Sequence, residues 1–155
     1  MEKNQIIETI LNFRCPRYED IPDIDLYLDQ VLNFINNALE PIGIDPLTGA
    51  MISNYVKNKT VPAPIKKKYT RDHIAHMIVV TLLKQVFPLQ YIAQFFEIQR
   101  ETYPFSVAYD FFCIEYENAL QATFCFTGEP MPRIETRMTD QTILVRAVVL
   151  SAANR

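Results

Sequence analysis

The sequence predicts an all-helical fold, and two observations carry that prediction. Only three glycines occur in 155 residues, and the ten prolines fall between periodic segments. A sheet-rich chain would spend glycine on its turns. Between the prolines, apolar residues recur at spacings of three and four, the period of a helix with one buried face. With 49% hydrophobic residues the chain has ample material for a core.

Taken in order, a first short helix is expected over Gln5 to Phe13, stopped by Cys15-Pro16. Ile24 to Leu39 then places Leu28, Val31, Leu32, Ile35 and Leu39 on one stripe, after an acidic first turn that suits the helix dipole. From Thr48 to Asn58, Met51, Ile52, Tyr55 and Val56 form an apolar stripe, and Ala50, Ser53, Asn54, Lys57 and Asn58 form a small, polar face opposite. Thr60 to Ile65, with Pro62 and Pro64, is expected to run extended. Thr70 caps a helix to about Gln85 with Ile74, Met77, Ile78, Thr81 and Leu82 inward, and Pro88 starts another through Leu89, Ile92, Ala93 and Phe96. Pro104 to Phe126 reads as a helix that is apolar round most of its circumference, and Asp140 to Ala153 as a last amphipathic helix. These elements divide into an N-terminal helical segment (1–43), a central domain (44–98) and a C-terminal helical segment (99–155), expected to form one unit.

Composition narrows the function. Cys15, Cys113 and Cys125 are odd in number and far apart, which reads as reduced thiols packed as small hydrophobes. The N-terminus carries no export pattern and the apolar runs are too short to span a bilayer, so a cytoplasmic protein without membrane contact is expected. No phosphate-binding glycine loop, nucleophile elbow or zinc-protease motif occurs, so neither an enzyme nor a cofactor is expected. Acid pairs such as Asp23 with Asp25 and Glu115 with Glu117 read as solvated helix faces. His73 and His76 lack a third ligand nearby, so no metal is expected; His76 reads as a phosphate contact or surface residue.

Charge is segregated. Met51 to Lys84 holds seven basic residues (Lys57, Lys59, Lys66, Lys67, Lys68, Arg71 and Lys84) against one acid, Asp72, while the rest of the chain holds eight bases against seventeen acids. A basic island on a helix-turn-helix pattern is the electrostatic footprint of nucleic-acid binding. Met51-Ile52-Ser53-Asn54-Tyr55-Val56-Lys57-Asn58-Lys59, then Val61-Pro62, Tyr69-Thr70-Arg71-Asp72-His73-Ile74 and Phe87-Pro88-Leu89-Gln90-Tyr91-Ile92, resemble the DNA-binding domain of the MerR-type transcription regulators. The stretch Ile52 to Ile92 also resembles the bacterial family built on the domain of unknown function numbered eighteen thirty-six, which has no established activity. The resemblance implies a winged helix-turn-helix in which the glycine-free segment Pro62 to Tyr69 makes a minimal wing, and in which Ser53 stands where a MerR-type arginine faces DNA.

On this reading the contacts to double-stranded DNA come from Ser53, Asn54, Lys57, Asn58 and Lys59 on the recognition helix and from Lys66, Lys67, Lys68, Tyr69 and Arg71 beyond it. Gly49, Ala50 and Ser53 admit the backbone to the major groove, Asn54 is the best base reader, and the lysines suit phosphates. Arg71 in a helical first turn opposes the dipole, so an external anion would explain it. The aromatic helix offers Phe105, Tyr109, Phe112 and Tyr116 as a dimer or ligand surface, and a homodimer is expected because two half-sites supply specificity that one short helix lacks. The competing expectation is a protein-interaction or small-ligand-sensing helical module that does not bind DNA.

Overall fold

A computed structural model describes residues 3–124, and among them six helices and one two-stranded sheet occur. The helices are α1 (Lys3–Leu11), α2 (Leu28–Leu39), α3 (Gly49–Lys57), α4 (Arg71–Leu83), α5 (Leu89–Arg100) and α6 (Phe105–Phe124). Short 3-10 turns at Tyr18–Asp20 and Glu40–Ile42 link the first three, and Gly43 with φ of 70° ends the second turn in the left-handed region. The helix expected over Asp140 to Ala153, and Cys125, lie outside the described residues.

The fold is therefore predominantly helical, but it contains strands that helical periodicity missed. β1 (Leu26–Tyr27) pairs antiparallel with β2 (Lys68–Tyr69), Leu26 opposite Tyr69 and Tyr27 opposite Lys68. This shortens the helix expected from Ile24: the chain is extended to Tyr27, whose N–H donates to Gln30 Oε1 at 2.9 Å and opens α2. Two-residue strands carry too few positions to show a period, which is why the pattern merged them into the helix.

The connection from α2 to α3 is clamped by one side chain. Asn36 Nδ2 donates to Leu47 O at 3.0 Å, and Leu47 N–H donates to Asn36 Oδ1 at 2.8 Å. Thr48 then caps α3, its Oγ1 accepting from Met51 N–H. Gly49 answers to packing: a Cβ there would stand 3.2 Å from Leu28 Cδ2, so the glycine lets α3 begin against α2.

α4 lies at the centre. Its inward face was expected to be one stripe, yet every residue from His73 to Leu83 is buried. Ala75, Val79, Val80 and Leu83 supply apolar surface on the other sides, and α2, α5, α6 and β2 cover them. Tyr55 and Ile78, both expected inward, have 1% and 0% exposure. α6 closes the core against α1, α4 and α5.

Candidate nucleic-acid interface

α3 buries Ile52 and Tyr55 and leaves Ala50, Ser53, Asn54, Lys57 and Asn58 in solvent. The helix is thus divided as its sequence is: one face anchors, the other is bare, small and polar. Asn58 folds back, Nδ2 donating to the Asn54 carbonyl at 2.8 Å and to Asn54 Oδ1 at 2.9 Å. That fixes the Asn54 amide with its NH2 group turned away from Asn58. Asn58 itself acts as a helix-end cap.

Past Asn58 the chain reverses at Lys59, which has φ of 58°. Thr60 N–H bonds to Tyr55 O at 2.9 Å and Lys59 N–H to Val56 O at 3.0 Å, the paired bonds of a Schellman end. Glycine is the usual residue here, because a Cβ disfavours the left-handed region. Thr60 and Val61 are buried and anchor the loop, while Pro62 and Ala63 are exposed.

The loop then makes a tight hairpin. Ile65 and Lys68 exchange both backbone bonds at 3.0 Å, with Lys66 (φ 52°) and Lys67 (φ 65°) as the two central residues. Positive φ at both positions marks the primed turn class, whose favoured pair is Asn-Gly. The turn leads directly into β2, whose Lys68 bonds Ile65 on one side and stands opposite Tyr27 of β1 on the other. Lys59, Lys66 and Lys67 are the non-glycine residues with positive φ among the described residues. All three are exposed lysines of the basic island. Each left-handed residue costs roughly 1 to 2 kcal/mol relative to its ordinary conformation.

His73 ties this loop to the start of α4. Its Nδ1 accepts from Thr70 N–H at 2.9 Å, so the proton sits on Nε2, which donates to the Ala63 carbonyl at 2.9 Å. The ring also packs edge-on against Tyr69, centroids 5.7 Å apart. Tyr69, expected to touch DNA, is only 8% exposed and serves as a wall of the core. Lys68 is half-buried, its Nζ 5.3 Å from the centre of the Tyr27 ring. Lys84, the last base of the island, lies over the Tyr55 ring instead of on this surface.

Arg71 finds an internal partner in place of the expected external anion. Its Nε donates to Ile21 O at 2.9 Å and its guanidinium stacks on Tyr18. Tyr18 in turn donates its hydroxyl to Asp72, and burial pushes the Tyr18 pKa up to about 12, which keeps that donor protonated. The single acid of the island is thereby engaged by a neighbouring hydroxyl. Lys57, Lys59, Lys66 and Lys67 are left as its exposed charges.

The other expected surface is corrected. Tyr109, Phe112 and Tyr116 are buried within the chain, Tyr116 against Phe13 and Tyr109 with its hydroxyl on Pro16 O at 2.7 Å. They are core residues because the N-terminal segment folds back over α6. Phe105 is half-buried and stacks on His76 at 3.8 Å between ring centres. The large apolar residues that α6 does expose are Val107 and Phe111, with Tyr103 just before the helix.

His76 is also corrected. It is 7% exposed, held between Phe105 and Phe96, and its Nδ1–H donates to Asp72 O at 2.7 Å. Burial lowers its pKa below the ordinary 6.5. Glu115 and Glu117, read as solvated, are buried. Glu117 accepts from the Arg17 guanidinium, at 3.0 Å from Nη2, and from Cys15 N–H at 3.1 Å. The carboxylate correspondingly raises the Arg17 pKa. Periodicity gave no sign of this pair because its members stand 100 residues apart.

Sequence reasoning missed His73 as a strut and the exposure of Ile65. The spacing Thr70-x-x-His73 was a legible capping signal, but nothing in the sequence marked its second bond to Ala63. No group of three or more potential metal ligands occurs among the described residues, and none of their helices is long and apolar enough to cross a membrane.

No curated protein and no solved structure matches this chain. The family described as a domain of unknown function (DUF1836) matches residues 16–112. That span runs from the Arg17 anchor through both strands and α5 into α6, and so includes the whole basic surface. Since it covers more than half of the chain, the protein belongs to the DUF1836 family.

Proposed function

We propose that this protein binds double-stranded DNA as a transcriptional regulator, using a winged helix-turn-helix of MerR-like type within residues 44–98, built from α3, the Ile65–Lys68 turn as its wing, and the pair α4 and α5. The observation that carries the reading is the location of Lys59, Lys66 and Lys67 at left-handed positions. Glycine or asparagine would be more stable at each, so the sequence gives up stability for positive charge on one exposed surface. A polyanion is the partner that such charge serves. In this reading α3 lies in the major groove with Ala50, Ser53, Asn54 and Lys57 toward the bases. Asn54 reads an adenine edge, and the turn lysines take phosphates.

The protein acts as a cytoplasmic homodimer in this proposal, two copies reading two half-sites. The seam is Tyr103, Val107 and Phe111, the exposed apolar residues at the start of α6. It replaces Tyr109, Phe112 and Tyr116, which the core consumes.

The test is an electrophoretic shift on pooled genomic fragments at two salt concentrations. Binding is expected to weaken at the higher salt, and Lys66, Lys67 and Lys68 replaced together by alanine flatten the dependence by up to about three units of slope. Asn54→Ala costs roughly 1 to 3 kcal/mol on the preferred site and little elsewhere. Salt-independent retention, or a triple variant that binds like the parent, rejects the reading.

One observation favours the second reading, a ligand-sensing module. A cavity of about 280 Å³ opens between α1, α4, α6 and the turn before α3, lined by Ile10, Ile42, Leu82 and Tyr116 together with Asp45 and Gln85. Thermal stabilisation by a small molecule with both apolar and polar groups, reduced by Gln85→Ala, would support it.

A further inference from the structure

The three most exposed large apolar side chains among the described residues gather at one small sheet. Ile24 is 66% exposed, Ile65 63% and Tyr27 56%, and none of them belongs to the core or packs against it. Lys68 pairs with Tyr27 on one side and with Ile65 on the other. Residues directly opposite on neighbouring strands share a face, so Tyr27, Lys68 and Ile65 form one row, while Leu26 and Tyr69 turn to the core. Ile24 stands just ahead of the strand that carries Tyr27. Single apolar residues on a surface are ordinary, but grouped ones mark an interface.

The row carries opposite charges at its two ends. Asp23 and Asp25 precede Tyr27 and Asp29 follows it, all exposed, in a stretch with no base between Arg17 and Lys57. At the other end Lys66 and Lys67 follow Ile65, exposed and in left-handed backbone. Two strand spacings, roughly 10 Å, separate the ends. Among the described residues, Asp23, Asp25, Lys66 and Lys67 have no ion-pair partner. Between the ends, Lys68 Nζ stays over its own Tyr27 ring at 5.3 Å.

An apolar group beside carboxylates at one end, and another beside ammonium groups at the other, make a surface that complements itself. A polyanion satisfies only the lysine end, and a basic peptide only the aspartate end. A second copy satisfies both. Turned about an axis along the strands, it sets its Ile65, Lys66 and Lys67 against Ile24, Tyr27 and the aspartates, and the reciprocal contact closes the pair.

We infer that two copies of this chain dock through this sheet face, residues 65–67 of each against residues 23–27 of the other. The contact is separate from the seam of Tyr103, Val107 and Phe111, and it does not depend on the DNA reading. Where that reading holds, docked lysines are withheld from phosphates, so pairing through this face opposes DNA binding.

The experiment uses full-length chains that all carry Phe111→Ser, which takes the apolar seam out of the readout. With no other change the chain pairs at low salt in sedimentation, and separates at about 1 M salt, where the Debye length is about 3 Å. One variant adds Asp23→Lys and Asp25→Lys; another adds Lys66→Glu and Lys67→Glu. Both keep the melting curve, because all four positions are exposed. Each alone sets like charges together and stays monomeric. Mixed, they pair, since every reversed charge then meets its opposite, and dyes on the two chains show energy transfer. Ile24→Ser in the first variant, a change that removes no core contact, weakens the mixed pair about fivefold. A chain that is monomeric at low salt overturns the inference, as does pairing of either reversed variant alone as tight as in the mixture. A mixed pair indifferent to Ile24→Ser overturns the placement on this face. Failure of the protein to bind any duplex overturns the DNA reading and leaves this contact standing.

Discussion

α3 with the turn that follows it and α4 with α6 spend their residues in opposite ways. On the first surface, three lysines stand in left-handed backbone, an isoleucine faces water and Ala50 to Asn58 leave one helical face bare. In the second region every residue from His73 to Leu83 is enclosed, and the polar groups carried inside are paired: Thr81 Oγ1 on Met77 O, His76 on Asp72 O, Glu117 on Arg17. The core supplies the stability that the exposed surface gives up. Residues that break local preference with nothing to gain in packing mark where function is to be sought.

Breaking the paired interior should have the largest effect. Glu117→Ala leaves the Arg17 guanidinium and the Cys15 N–H without their acceptor, and releases the N-terminal segment from α6. Arg17 keeps a third of its side chain in solvent, so the expected loss is about 2 kcal/mol in a denaturant melt, below that of a fully buried pair. Glu117→Gln, which keeps one acceptor, should lose less. Equal melts for Glu117→Ala and the parent would mean that this contact does not hold the N-terminal segment in place.

The strained turn offers the opposite sign. Lys66→Asn combined with Lys67→Gly installs the pair that the turn prefers, and should raise stability by about 1 kcal/mol in total while weakening binding to every DNA sequence. Stability and affinity moving apart is the signature of strain kept for function. A double variant that is both more stable and equally tight on DNA would reduce the turn to a structural accident.

Smallest is the effect of pH on α4. Burial between Phe96 and Phe105 favours neutral His76, so its folded pKa lies below the ordinary 6.5. As pH falls, the unfolded chain takes up this proton first. The contribution is fully present above about 6.5, is lost as pH drops through that value, and stops changing below the folded pKa. Asp72, through its carbonyl, holds the ring from one side, and Arg100 and His73 add repulsion to the charged form. The urea midpoint should therefore fall between about pH 7.5 and 5.5, with a shallower slope in His76→Leu. A slope unchanged by that substitution would assign the pH response to other groups.

The helices were legible in the sequence because each is long enough to show a period, and the basic island because charge is counted without coordinates. The polar face of α3 follows from the spacing of Ile52 and Tyr55 alone. What the sequence left open were contacts between distant residues and conformations of single ones. Nothing near Glu117 announces Arg17, and nothing in a helical stripe distinguishes α4, enclosed on every side, from a helix with one wet face. Tyr109, Phe112 and Tyr116 read as surplus apolar surface until the N-terminal segment folded over them. The left-handed lysines were hidden because the usual marker, glycine, is absent. Periodicity and charge are local and additive, so the sequence by itself determined the helices and where positive charge gathers. Burial and backbone strain depend on which segments meet, so tertiary structure alone decided which aromatics form core, which carboxylate is paired and which lysines stand at the tip of the turn.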